Sequence, residues 1–439
     1  MLFLGLTAAL AFYVAWNLGA NDVANSMGTS VGSKAVSLRQ ALAIAGILEF
    51  TGAVLFGRNV SKTIATGVVD PARFAADPHV LLLGMTAALV ACGIWLQIAT
   101  AFGLPVASSH AVVGAIAGFG WVAAGTQAVD WHSISIISIT WILTPAISGS
   151  VSALFYILVY RWILTQANPV QQLYEWIPWL SVALVSVFSA IALPSLFQLP
   201  QFQSLPLPSH DLPLLVGAIA TTSLTLITWS QLKTFSHKPL SPEQEIQTIK
   251  ADFPQSESLE PAAFFNPIEK QLARFQFLSA CFVAFAHGSN DVGNAVAPLA
   301  AIVYIHRTNS IPLADFSVPT WILVLGGVGI VSGLAVFGKN VIKTIGEGII
   351  PLQPSAGFCA ELATATTVLL ASRLGLPVST SHALVGAVVG IGLVQWGRSP
   401  NSTIQFGTLR QIALAWLITI PAAAGLAIAI FATLQWIQL

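Results

Sequence analysis

The chain has 439 residues, 55% of them hydrophobic and 8% charged, with a mean hydropathy of +0.80, where an ordinary soluble domain carries roughly a quarter charged residues. Such a chain is a polytopic membrane protein. Its 17 basic and 17 acidic side chains cancel, and without a basic stripe no nucleic-acid partner is expected.

A spanning helix needs about 20 apolar residues, because no backbone group can stay unpaired in lipid. Seven segments qualify in the first half, roughly 2–21, 38–57, 80–102, 111–129, 134–160, 176–199 and 212–232. Five follow, roughly 275–304, 318–338, 356–374, 383–397 and 410–437. The first has no Lys or Arg ahead of it and no small-residue cleavage site, so it reads as a retained span rather than a signal peptide. Cys92, Cys281 and Cys359 each stand alone in an apolar run, without the spacing of a disulfide framework or a zinc site. Between the two sets, residues 233–275 concentrate charge and proline, which predicts a solvated linker with a short surface helix near 266–275.

With the N-terminus outside, seven crossings place the linker inside. The inner side then collects Lys34, Arg39, Arg161, Lys233, Lys238, Lys250, Lys270, Arg274, Lys339, Lys343, Arg398 and Arg410. Arg58, Lys62, Arg73, Arg307 and Arg373 remain outside. This imbalance follows the positive-inside rule, and the opposite orientation would invert it. Short loops and a compact linker point to a bacterial inner membrane with a cytoplasmic linker.

Self-similarity is the main signal. GANDVAN (19–25) is echoed by GSNDVGN (288–294) at an offset of 269, and GRNVSKTIATG (57–67) by GKNVIKTIGEG (338–348) at 281. GLPVASSHAVVGAIAGFG (103–120) is echoed by GLPVSTSHALVGAVVGIG (375–392) at 272. Three motifs in one order make the chain two copies of one unit: residues 1–160 and 275–439, joined by two helices in 161–232 and the linker 233–274. Seven crossings, an odd number, separate the first helices of the copies, so the copies are expected to be inverted relative to one another, the usual plan of secondary transporters.

Asp22 and Asp291 are costly inside a bilayer unless paired, hydrated or bound to a cation. Helical spacing puts Asn21 and Asn25 on one face with Asp22 beside them, and Gly19 and Gly28 permit a break that would free carbonyl oxygens. Carboxylate, amide and carbonyl oxygens suit Na⁺, and the set recurs as Asn290, Asp291 and Asn294. The competing reading is a polar helix interface.

In the G-L-P-V-x-[ST]-S-H segments a proline precedes two hydroxyls and an imidazole at a helix start, where roughly half a positive charge favours an anion. Ser108, Ser109, Thr380 and Ser381, with Asn25 and Asn294, are thus candidate oxyanion ligands, although ordinary capping would use the same hydroxyls. His110 and His382 are placed equally well to brace the hairpins. Glu49 and Glu361 lie in apolar spans without counterparts, since the offsets send them to Ile330 and Leu89. Such acids suit a proton site or acceptors for a protonated oxyanion. Monohydrogen phosphate keeps one O–H that wants an acceptor, whereas sulfate has none, so an acidic site favours phosphate. His287 stands where the first copy has Leu18 and reads either as a tuning group or as a core histidine.

An anion channel lined by the polar motifs is an alternative of a different class, which strict ion coupling and saturation at low flux would exclude; enzyme and receptor readings are weaker. No nucleophile, base and acid can be assembled on one side of the membrane, and the linker is too short to form a domain.

The segments GANDVANSMGTSVGSKAVS (19–37) and AHGSNDVGNAVAPLAAI (286–302), with both G-L-P-V-x-[ST]-S-H segments, resemble the inorganic phosphate transporter (PiT) family over about residues 10–125 and 275–400. The resemblance implies an all-α integral membrane protein of about 12 transmembrane helices in two inverted repeats with re-entrant or broken helical hairpins. It implies a homodimer carrying inorganic phosphate by alternating access, coupled to Na⁺ or H⁺, with no further cofactor. It assigns Asp22 and Asp291 as cation ligands, Glu49 and Glu361 as acids needed for transport, and the serine-rich hairpins as the phosphate cradle. Some relatives carry sulfate, which keeps a sulfate permease as the alternative.

Overall fold

A computed structural model describes residues 2–102, 106–194, 211–237, 267–313, 316–345, 352–398 and 405–438. Twelve α-helices make up most of these residues. Before the linker come α1 (Leu2–Gly32), α2 (Leu38–Gly67), α3 (Pro78–Ala101), α4 (Ser108–Ala124), α5 (Trp131–Val159), α6 (Pro169–Ile191) and α7 (Asp211–His237). After it come α8 (Pro267–Thr308), α9 (Thr320–Ile345), α10 (Pro354–Arg373), α11 (Thr380–Trp396) and α12 (Phe406–Gln438). Nine of the described helices are long and apolar enough to cross a membrane. The chain is therefore an integral membrane protein.

Three expectations change. The spans expected at 111–129 and 383–397 are helices of only 17 residues, about 26 Å long at 1.5 Å per residue and too short for a core of about 30 Å. The surface helix expected near 266–275 is instead the beginning of α8, which runs unbroken for 42 residues. The break expected at Gly19 and Gly28 is absent, because α1 and α8 stay helical through both Asn-Asp motifs. Most of the linker, and Gly103, Leu104 and Pro105 of the first hairpin, lie outside the described residues.

The glycines of the motif serve packing instead. Gly19 lies against the backbone of Ile330, Gly288 against Glu49, Gly52 against Phe285 and Gly333 against Trp16. Offsets of 269 and 281 convert the first and third contacts into the second and fourth, so α1 packs on α9 as α8 packs on α2. Further along, Gly114 meets Ile420 as Gly386 meets Pro145. In lipid, where burial of apolar surface adds little, such backbone-to-backbone approach is what holds helices together.

The short helices complete two hairpins. An isolated antiparallel bridge joins Val69 to Val129, with Asp70 N donating to Ala128 O at 2.8 Å and Asp130 N to Val68 O at 3.1 Å. The chain thus enters α3 and leaves α4 at one end, while the hairpin tip reaches the middle of α1. In the second hairpin, Gly375 takes φ +69°, a left-handed conformation that costs a side-chain residue about 1–2 kcal/mol, and both ends of the Asn290 amide grip the turn. Its Nδ2 donates to Leu376 O at 3.2 Å and its Oδ1 accepts from Val378 N at 3.3 Å. At the start of α10, which has no local side-chain cap, Glu269 accepts from Ser355 N and Ser355 Oγ, each at 2.8 Å.

The two histidines cross-brace the halves. His110 Nδ1 lies 3.2 Å from Trp416 O, and His382 Nδ1 lies 3.1 Å from Trp141 O. A carbonyl only accepts, so each ring carries its proton on Nδ1. Trp141 Nε1 in turn donates to Pro377 O at 3.1 Å. Trp141→Phe leaves that buried carbonyl unpaired and is expected to lower stability by about 1–3 kcal/mol, read as a fall in melting temperature in detergent.

Candidate functional site

The middles of α1, α2 and α8 and the tips of both hairpins converge on one buried polar cluster. Asp22 on α1 and Asp291 on α8 are 4% and 2% exposed, so both carboxylates are withdrawn from lipid and bulk water alike. Ser108 Oγ, at the start of α4, donates to Asp22 Oδ2 at 3.2 Å, and Thr380 Oγ1, at the start of α11, donates to Asp291 Oδ2 at 3.0 Å. The repeat therefore reproduces an aspartate bound by a hairpin hydroxyl. Asn294 Nδ2 crosses between halves to Ser108 Oγ at 3.1 Å.

His287 occupies the centre. Its Nε2 is 3.0 Å from Asp291 Oδ2 and 4.0 Å from Asp22 Oδ2, and its Nδ1 is 3.2 Å from Glu49 Oε1. Glu49 also accepts from Ser26 Oγ at 2.9 Å. One imidazole thus faces three carboxylates. Asp22, His287 and Asp291 each offer a ligand atom within 4.8 Å of the others, and Asp291 Oδ1 and Asn294 Oδ1 are buried acceptors without a donor. Uncompensated buried acceptors are costly, and a hard cation supplies what an acceptor-only set lacks.

The remaining candidates fall into place around this centre. Asn21 and Asn290, expected as cation ligands, use their amides to hold the hairpins: Asn21 Nδ2 donates to Thr100 Oγ1 at 3.0 Å and Asn290 Nδ2 to Ser372 Oγ at 3.1 Å. Asn25 lies buried one turn beyond Asn21. Ordinary capping does not account for the hairpin hydroxyls. Ser379 is the N-cap of α11 and accepts from His382 N at 3.2 Å, while α4 has no side-chain cap bond. Ser109 Oγ is buried without a partner and Ser381 Oγ pairs with Ser379 Oγ at 2.8 Å.

Glu361 stands apart, in a cage that the sequence reading missed. Thr29 and Ser30 donate to its Oε1 at 2.6 Å each and Gln276 Nε2 at 3.2 Å, while Ser279 donates to Oε2 at 2.8 Å. A signal existed: Ser26, Thr29, Ser30 and Ser33 mark one face of α1 at helical spacing.

The family model described as the phosphate transporter family matches residues 18–427. The chain belongs to this family. The transporter is 40% identical over 424 residues to the Arabidopsis thaliana chain named inorganic phosphate transporter 2-1, chloroplastic, covering 96% of this chain and 70% of that one. A solved structure described as the sodium-dependent phosphate transporter superposes on it with a TM-score of 0.83 at 34% identity, covering 100% of both chains. Family and fold are those of a transporter, not of an enzyme.

Proposed function

We propose that this phosphate transporter is a cation-coupled symporter, with Na⁺ the favoured coupling ion and H⁺ the other candidate, that imports inorganic phosphate by alternating access. The observation that carries the reading is the pair of aspartates, one from each half, each holding a hydroxyl from the hairpin of its own half. The description of the solved neighbour as sodium-dependent supports Na⁺.

The geometry supplies a coupling argument. A hydroxyl has one proton, so Ser108 and Thr380 donate either to an aspartate or to a phosphate oxygen. With the carboxylates bare, their charge repels an oxyanion and holds the hydroxyl protons. A cation on Asp22 and Asp291 neutralises that charge and takes the hydroxyl lone pairs, turning the protons toward phosphate. Cation binding therefore precedes tight phosphate binding. Ser109 and Ser381, with Asn25 and Asn294, complete the cradle, and Glu49 and Glu361 are the accompanying acids.

In this reading residues 1–160 and 275–439 are inverted repeats that rock against one another, joined by 161–232 and a cytoplasmic linker at 233–274. The paired glycine contacts support that arrangement, and the distribution of Lys and Arg supports an outer N-terminus. The protein is assigned to a bacterial inner membrane as a homodimer.

Liposomes carrying the protein test this directly, with labelled phosphate and an imposed Na⁺ or proton gradient, each with and without excess sulfate. Uptake driven by Na⁺ and indifferent to sulfate is expected. Uptake driven by protons alone overturns Na⁺ coupling, and suppression by sulfate reopens the substrate. The double variant Ser108→Ala, Thr380→Ala removes two hydrogen bonds to a charged ligand and is expected to raise KM for phosphate roughly tenfold or more; an unchanged KM removes the hydroxyls from the cradle. Glu361→Gln keeps the shape of its caged carboxylate and removes the charge, so maximal uptake should fall roughly tenfold while the melting temperature stays within a few degrees.

A further inference from the structure

On the surface of the helix bundle a groove of about 650 Å³ runs between α2 and α9, within the size range of small-ligand sites. Its walls are apolar, with Ala43, Ile47 and Phe50 from α2 and Val328, Val331 and Ala335 from α9. Ile47 is 67% exposed and Val328 44%, so nothing in the described chain covers them. Arg39 stands at one end and Thr51 near the other.

Two features specify the occupant. From Arg39 to Thr51 the α2 axis rises about 18 Å at 1.5 Å per residue, close to the roughly 15 Å of one leaflet of hydrocarbon. The cationic end lies beside the start of α2. There Gly338 of α9 packs against Leu42, so α9 stays beside α2 up to this end of the groove. No acidic residue is among the described residues that line the groove. An arginine at the mouth, an apolar channel and a length close to one leaflet match a lipid chain under an anionic headgroup. A second copy related by a twofold axis along the membrane normal fits less well, since it would bring Arg39 to the same depth as its own mate.

We propose that the groove holds one acyl chain of an anionic phospholipid from the leaflet on the Arg39 side, with the lipid phosphate against Arg39. The groove lies on one face of α2 and Glu49 is buried on another, so the lipid braces the α2–α9 pair that backs the polar cluster.

Native mass spectrometry of protein purified from membranes containing both phosphatidylglycerol and phosphatidylethanolamine tests this. The unaltered chain is expected to retain about one phosphatidylglycerol per chain. Ala43→Trp fills the groove from an exposed position and should abolish retention, and Ile47→Trp serves the same purpose if the first variant does not fold. Arg39→Gln should keep the chain-binding channel but lower the preference for phosphatidylglycerol roughly fivefold. Retention by both tryptophan variants equal to that of the unaltered chain overturns the proposal. So does Ile47→Cys giving mainly disulfide-linked dimers in vesicles, which would assign the groove to a second copy.

Discussion

Asp22→Asn is expected to abolish cation-driven phosphate uptake while the protein still inserts, folds and runs as a single species in detergent. Asp22 is buried at the middle of α1 with Ser108 on its Oδ2 and His287 within 4.0 Å. The asparagine has the same shape and can still accept from Ser108 through its oxygen, so packing is preserved. The charge is not. Loss of a desolvated ionic ligand costs about 2–5 kcal/mol, which lowers uptake at fixed Na⁺ by roughly a hundredfold or more. Asp291→Asn should act at least as strongly, because Asp291 also lies 3.0 Å from His287 and leaves its Oδ1 without a donor. The measurement is initial uptake of labelled phosphate into liposomes against Na⁺ concentration. Wild-type Na⁺ dependence in Asp22→Asn would remove that carboxylate from the cation site. Equal loss of uptake and of melting temperature would mark a structural role instead.

The second large effect is on assembly of the helices. Gly288→Ala is expected to destabilise the protein by about 3 kcal/mol or more, at or above the upper end of the usual cost of overpacking. A Cβ at Gly288 would overlap the carbonyl oxygen, carbonyl carbon and Cα of Glu49. Backbone cannot swing aside like the end of a side chain, so α8 and α2 would have to separate, moving Glu49 away from His287. Gly19→Ala should do the same between α1 and α9, where the overlap is with Ile330. Gly425→Ala is the control: nothing lies within 4 Å of its added Cβ, and alanine favours a helix by about 1 kcal/mol over glycine. It should leave the melting temperature unchanged or raised. A Gly288→Ala protein as stable as the control would show that the α2–α8 contact is looser than its geometry.

Much of the architecture was legible because it is local or periodic. Helix follows from apolar length, since each helix satisfies its own backbone in lipid, and most of the twelve segments read from hydropathy coincide with described helices. Repeat offsets taken from motif spacing reappear as paired contacts: the offset that sends Glu49 to Ile330 also relates the backbones on which Gly288 and Gly19 rest. Where reading failed, length or local chemistry misled. Gly19 and Gly28 looked like helix breakers, but α1 runs through both and Gly19 is a contact point. The apolar runs at 111–129 and 383–397 looked like full spans but belong to hairpin arms of only 17 helical residues.

The sequence by itself determined a duplicated, all-helical membrane protein with two aspartates and two hydroxyl-rich hairpins, because composition, helical period and repetition are properties of the chain alone. Only the tertiary structure decided that Asp22, Glu49, His287 and Asp291 share one site, that Asn21 and Asn290 clamp hairpins, and that Glu361 sits in a separate cage of hydroxyls and an amide. The reason is physical. These groups come from helices far apart in the chain, and what brings them within hydrogen-bonding distance is the closeness with which α1 meets α9 and α2 meets α8, set by which small residues happen to face one another across the two halves.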